Sequence, residues 1–329
     1  MPEPRFQILG IGNAIVDVVA QGGEEFLSRH GLAKGTMALI GADDAERLYA
    51  AMPPGQESSG GSAANTCAVA AALGARVAYL GKVADDQLGR VFRHDIAAAG
   101  VHHPTPPLAG GAPTARCLIL VTPDGQRTMS TFLGASVAFE DGDVDEALVA
   151  DSAVTYLEGY LFDPPAAQAA FRKAAAAARR AGRQIALSLS DPFCVARHRA
   201  AFLDLLHEGV DLVFANEAEI TSLYETASFD EAAKRVAAEV PLCALTRGPQ
   251  GSVVLRGAER VLVAAEPARV VDTTGAGDAY AAGFLTAYTA GQDLAACGRL
   301  GSRAAAFVIA QLGARPLVGL RDLAAPMLA

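Results

Sequence analysis

Long apolar runs are missing from this sequence. No stretch reaches about 18 apolar residues free of charges and turn signals, so no transmembrane helix is expected. The opening MPEPRFQILG has no basic segment leading into an apolar run, so no signal peptide and a cytoplasmic location are expected. Cysteine is sparse: five residues, at 67, 117, 194, 243 and 297, with no C-x-x-C pair. That excludes a disulfide framework and reads as buried free thiols in a reducing compartment. The six histidines are scattered apart from His102-His103, which speaks against a structural zinc site. Positive charge is also short, with 27 Lys+Arg against 36 Asp+Glu and a net charge of −9. No nucleic-acid or membrane partner is expected from that balance. An anionic ligand would have to be held locally, by backbone N–H groups and a few arginines. Two common nucleotide motifs are absent as well. G-x-x-x-x-G-K-[ST] occurs nowhere, and Gly10-Ile-Gly12 is followed by Ile15 where a dinucleotide turn needs a third glycine.

What is present is enough chain for a large core: 329 residues, 51% of them hydrophobic. Strands are predicted at 6–10, 15–20, 76–80, 115–121 and 126–132, the last two joined by Thr122-Pro123-Asp124-Gly125, a hairpin turn. Helices are predicted at 43–51, 63–73 and 86–99. Short strands and turns, with no long helix, are expected over 22–41. From about 152 the pattern alternates, with strands at 153–158, 184–189, 211–215 and 242–246. Helices fall at 165–181, 198–207, 216–226 and 229–239. A hairpin, 252–256 with 260–265, and two closing helices, 275–290 and 293–311, follow. Such alternation predicts an α/β fold, a mostly parallel sheet with helices on both faces and ligands beyond the carboxyl ends of its strands. The strand-rich stretches 14–40 and 104–133 break the alternation and are expected to form a small β lid inserted in a single domain, 1–329.

The stretch VVDTTGAGDAYAAGF, 270–284, is the centre around which the other elements are arranged. Val270-Val271 reads as a strand end, and a helix opens inside Gly275-Ala276-Gly277 with Asp278 in its first turn. A helix start offers unpaired N–H groups and the positive end of the dipole, which suits phosphate oxygens. Glycines there let the backbone approach a ligand closely. An acid beside an anion pocket is electrostatically awkward and suggests a chemical role, that of base in phosphoryl transfer.

Gly60-Gly61-Ser62-Ala63-Ala64-Asn65 is a second glycine-rich entry into a helix. Together with Asp272-Thr273-Thr274-Gly275-Ala276-Gly277-Asp278 it resembles the two signatures of the ribokinase-like (PfkB) family of sugar and nucleoside kinases, over essentially the whole chain. The resemblance implies the family fold, ATP as phosphoryl donor and Mg²⁺ as cofactor. It implies Asp278 as catalytic base and Gly275, Ala276 and Gly277 as anion hole. Asp17, in the GNAIVD start with Asn13, resembles the acid that accepts hydrogen bonds from sugar hydroxyls, a role suited to a vicinal diol. Gly61 and Asn65 match residues touching the same hydroxyls, and Ser62 stands where ribokinases usually carry Lys. Asn216 and Glu219 resemble the family's Asn-x-x-Glu motif, the Glu organising Mg²⁺ through water; the same spacing is a capping box. Thr246, Gly248 and Gly251 resemble the nucleotide-binding turn, or form a plain strand-to-hairpin loop. Thr274 is placed with the nucleotide site, where some adenosine kinases carry Asn. Arg127 reads equally as a phosphate ligand and as a solvent-facing strand arginine. In some relatives a monovalent cation sits near residues matching Asp272 and Thr274.

The GNAIVD start and the spacing from Arg127 to Leu133-Gly134-Ala135 look most like adenosine kinases, the bacterial ones especially. Tyr160 or Phe162 is then a candidate to stack on a purine, with core packing the alternative for either. The 5′-hydroxyl of adenosine is the expected acceptor; inosine, guanosine, ribose and fructose remain alternatives, as does a non-catalytic nucleotide sensor. A monomer is expected.

Overall fold

The computed structural model describes residues 3–328; Met1, Pro2 and Ala329 of the expected 1–329 domain lie outside them. A nine-stranded sheet forms the centre, in the order Glu259–Val263, Ser252–Arg256, Leu242–Thr246, Leu212–Asn216, Gln184–Ser188, Ser152–Glu158, Phe6–Ile11, Val77–Leu80, Val101–His102. The hairpin at one edge pairs antiparallel and the remaining pairs are parallel. The inner strands of this sheet are apolar on both faces because both faces are covered. Successive residues enter opposite cores: Ile8 packs with Tyr79, Tyr156 and Phe214, and Leu9 with Leu157, Leu187 and Val213. The helix Pro165–Arg180 covers the second core, through Ala170, Phe171 and Ala174. Ser62–Ala72, Ala276–Thr289 and Leu294–Ile309 cover the first. All five cysteines are free and buried. Among the described residues no helix is long and apolar enough to cross a membrane.

A second, five-stranded sheet has the order Met37–Leu39, Arg127–Phe132, Ala115–Val121, Ile15–Gln21, Gly55–Gly60. The chain passes from the central sheet into this one at Gly12-Asn13-Ala14.

Several expectations need correction. Gly55–Gly60, GQESSG, is a strand that the sequence does not signal, because it is polar and joins the sheet through backbone pairing with Ile15–Gln21. Over 22–41 the expected short strand is Met37–Leu39, and a short helix, Glu24–Arg29, stands before it. Val270 and Val271 are exposed and belong to no strand; the Val271 N–H donates to the Ile309 carbonyl, outside either sheet. The helix expected at 198–207 starts at Pro192, where Asp191 caps Cys194 N–H at 2.7 Å, and bends at His198, which bonds Asp163. The chain does not close at the helix Leu294–Ile309: Arg321–Leu328 is a further helix, whose internal Pro326 hides it from a propensity reading.

Candidate active site

Gly275 adopts φ +75°, the left-handed region that glycine reaches at little cost, and the helix Ala276–Thr289 begins there without a side-chain cap. The Ala276 N–H turns back to the Thr273 carbonyl at 3.2 Å. A Cβ added to Gly277 would meet nothing within 4 Å outside its own helix turn, so there is open space beside this residue. Asp278 projects from the same turn. Its Oδ1 accepts from Ser62 Oγ at 2.6 Å and its Oδ2 from Asn65 Nδ2 at 3.3 Å. Both donors come from the helix Ser62–Ala72, whose entry requires Gly61 at φ +95°: a Cβ there would lie 2.1 Å from the Asn13 carbonyl oxygen.

Burial pushes the Asp278 carboxyl up to about 6, against the donors Ser62 and Asn65 and the Arg315 charge. Desolvation outweighs what the positive end of the helix and these partners do to favour the anion. Asp17 behaves alike, raised to about 6 by burial, with Arg315 and Arg127 lowering it and Asp278 raising it. A cavity of about 920 Å³ is lined by Asp17, by Asn65, which donates to Asp278, and by Arg127, Thr274 and the chain from Gln311 to Gly319.

Arg127 is neither solvent-facing nor free. It pairs with Asp272 and donates to Thr274 Oγ1 at 3.2 Å. Asp272 in turn accepts from Thr274 N–H at 3.1 Å, Thr274 Oγ1 at 2.8 Å and Gly313 N–H at 2.7 Å, which fixes the loop before the helix Ala276–Thr289.

Residues 33–318 match the pfkB family of carbohydrate kinases. The chain belongs to that family. The structure of adenosine kinase from Sinorhizobium meliloti is 55% identical, covers 98% of this chain and 99% of its own, and superposes with a TM-score of 0.91. A probable sugar kinase from Rhizobium etli is 50% identical over 99% of this chain and all of its own, with a TM-score of 0.92. The adenosine kinase of Schizophyllum commune is 30% identical over 337 residues, 94% of this chain and 96% of its own. The fold is therefore ribokinase-like, and the protein is a phosphotransferase acting on a hydroxyl group, a sugar or nucleoside kinase. Kinases of this family use ATP, generally with Mg²⁺.

The other candidate residues of this pfkB kinase fall at carboxyl ends of the central strands, as the topology requires. Asn216 and Thr246 end neighbouring strands and are register partners. Asn216 and Glu219 form the capping box in both directions, and burial raises the Glu219 carboxyl to about 7. Gly248 and Gly251 shape the next turn, at φ +55° and +84°, closed by Arg247 N–H to the Gly251 carbonyl at 2.8 Å. Asn13 is buried, and its Nδ2 donates to Glu158 Oε1 at 2.8 Å, so this amide braces the junction between the sheets. Tyr160 is half-buried on the site side, its hydroxyl raised by burial and by Asp191, Asp278 and Glu219. Phe162 is a correction: fully buried, it stacks on Phe202 at 4.6 Å between ring centroids and has no face left for a purine.

Two residues of the site were not anticipated. Glu158 accepts from Ala63 N–H at 2.7 Å as well as from Asn13, and burial lifts it to about 7. Its signal was available, a lone carboxylate ending the apolar run Val154–Leu157. Arg315 donates to Asn65 Oδ1 at 2.8 Å from a loop that carried no sequence signal.

Proposed function

We propose that this kinase transfers the γ-phosphoryl group of ATP to the 5′-hydroxyl of adenosine, giving AMP and ADP. The observation that carries the reading is Asp278: a carboxylate held by Ser62 and Asn65 at an uncapped helix start, where Asn65 also lines the cavity that Asp17 lines. The 55% identical adenosine kinase supports the acceptor.

In this reading Asp278 removes the proton of the attacking hydroxyl. The N–H groups at the start of Ala276–Thr289, Gly275 and Gly277 foremost, stabilise charge on the transferred group; one such donor is typically worth roughly 3–4 kcal/mol. Ala276 shares its N–H with Thr273 and contributes less. Arg127, held by Asp272 and Thr274 at the cavity wall, supplies positive charge next to that helix start. Asp17 accepts from the ribose diol, while Gly61 and Asn65 shape that end of the cavity and Tyr160 is the aromatic left for the base. Thr246, Gly248, Gly251 and Asn216 are the nucleotide end. The Glu219 oxygens are both engaged by Asn216, a donor set that fits Mg²⁺ held through water better than by direct ligation. When bound, Mg²⁺ supplies charge neutralisation of the phosphates.

A coupled ADP-release assay with adenosine, inosine, guanosine, cytidine, ribose and fructose tests the proposal. Adenosine is expected to give the highest kcat/KM. A clear preference for a free sugar overturns the acceptor, and no turnover with any of them points to a nucleotide sensor.

A further inference from the structure

Between the helices Leu294–Ile309 and Arg321–Leu328 the chain crosses the mouth of the cavity. This crossing is anchored along its length. Gln311 Nε2 donates to the Arg315 carbonyl at 2.7 Å, Gly313 N–H to Asp272 at 2.7 Å, and Leu320 N–H to the Ala72 carbonyl at 2.8 Å. From it Arg315 points inward. Its Nε donates to Asn65 Oδ1 at 2.8 Å, and its other nitrogens donate to Ser59 Oγ and, at 3.4 Å, to the Gly60 carbonyl.

The bond to Asn65 settles which way that amide faces. Its two ends have the same shape and opposite hydrogen-bonding character, and a guanidinium can only donate. Arg315 therefore claims Oδ1, which leaves Nδ2 to donate to Asp278. A flipped amide would set its oxygen against the carboxylate and its NH₂ against the guanidinium.

We infer that Arg315 is a positioning residue for Asp278, fixing the Asn65 amide as a donor to the base and offsetting with its charge the carboxylates gathered around the cavity. The inference rests on the kinase reading above. The groups electrostatically coupled to Asp278 come from several elements: Ser62 and Asn65 from one helix, Tyr156 and Glu158 from a central strand, Tyr160 and Glu219 beyond the strand ends, and Asp17 from the second sheet. Arg315 itself is coupled through its charge to Asp17, Tyr79, Asp95 and Cys67. Arg315 is the cation that lowers both Asp278 and Asp17, the latter with help from Arg127. Removing its charge moves both carboxyls upward.

The test compares the full-length chain with Arg315→Met, Arg315→Lys, Asn65→Ala and the Arg315→Met/Asn65→Ala double variant. Two quantities are read: the pH dependence of kcat/KM for acceptor phosphorylation, and the ¹³C titration of the Asp278 carboxyl, which needs no turnover. In Arg315→Met the acid limb and the Asp278 midpoint are expected to rise by about 1 pH unit, and kcat to fall about tenfold. Lys keeps the charge without the fork, so Arg315→Lys restores the midpoint and not the full kcat. The double variant is expected to lose little kcat beyond Asn65→Ala, because Arg315 acts on orientation through that amide. If Arg315→Met does not fold, Arg315→Gln, which also removes the charge, carries the same expected shift. Unchanged limb and midpoint in a folded, charge-free variant overturn the inference. A wild-type chain that phosphorylates no acceptor overturns the kinase reading instead, and the carboxyl titration still decides whether Arg315 acts on Asp278.

Discussion

Opposing effects meet on Asp278. The helix dipole and the Ser62 and Asn65 donors favour its anion, while burial favours the acid, and burial prevails. From an ordinary 3.8 to about 6, the difference between protonation states is worth roughly 3 kcal/mol. The group remains mostly ionised above neutrality, and a carboxylate near 6 is a stronger base than one near 4. A base must be deprotonated, so kcat/KM is expected to fall as pH drops through about 6 and to level off above it. Asp17 lies at a similar value and interacts with Asp278, so the midpoint of a pH–rate profile belongs to the pair. A profile flat down to about pH 5 would remove both carboxylates from the rate equation. The Asp278→Asn variant keeps the shape and loses the base; kcat is expected to drop by about three decades or more. Calorimetry on the same variant is expected to find acceptor affinity within a few-fold of wild type. Near-normal kcat would refute the assignment.

Among the elements, the buried strands were legible and the marginal ones were not. Strands such as Leu212–Asn216 and Leu242–Thr246 declare themselves because covering both faces selects short apolar runs. Gly55–Gly60 buries few side chains, so its composition records nothing of its pairing. The turn Gly159–Phe162 shows the same limit at closer range: two aromatics two residues apart, one half-buried and one fully in the core. Helical turns send neighbouring side chains to different faces, and only the packing partner tells which is which. Phe162→Ala is expected to cost about 3–5 kcal/mol in denaturant unfolding, since it opens a hole beside Phe171 and Phe202. Its KM for the acceptor is expected to stay near wild type under conditions where it is folded. A large rise in KM with stability intact would return Phe162 to the binding site.

At the scale of the molecule, the cavity draws its walls from the second sheet, the central helices and the 311–319 crossing. Asp17 and Arg127 stand on the second sheet, whereas Asp278 stands on a helix of the first. Any change in the angle between the sheets therefore changes the distance between Asp17 and Asp278, the acceptor-binding acid and the base of the proposed reaction. Closure over a bound acceptor would exclude water from the phosphoryl group. ATP hydrolysis without acceptor is accordingly expected at about one hundredth of the transfer rate or less, measured as ADP release with and without adenosine. Brisk acceptor-independent hydrolysis would mean that the base and anion site are already assembled in the open protein.

By itself the sequence determined what depends on neighbours along the chain: the alternation of strands and helices, the glycine-rich helix entry at Gly275, the capping box of Asn216 and Glu219, and the acid set in a helix's first turn. Tertiary structure alone decided what surrounds that acid. Ser62 and Asn65 reach Asp278 across 216 and 213 residues of chain, and Arg315 reaches Asn65 across 250. Glu158 braces Asn13 across 145. Hydrogen bonding within a turn is written into a few adjacent residues, but desolvation is set by whatever folds over them. That is why a helix start could be read from TGAGD, and a carboxyl near 6 could not.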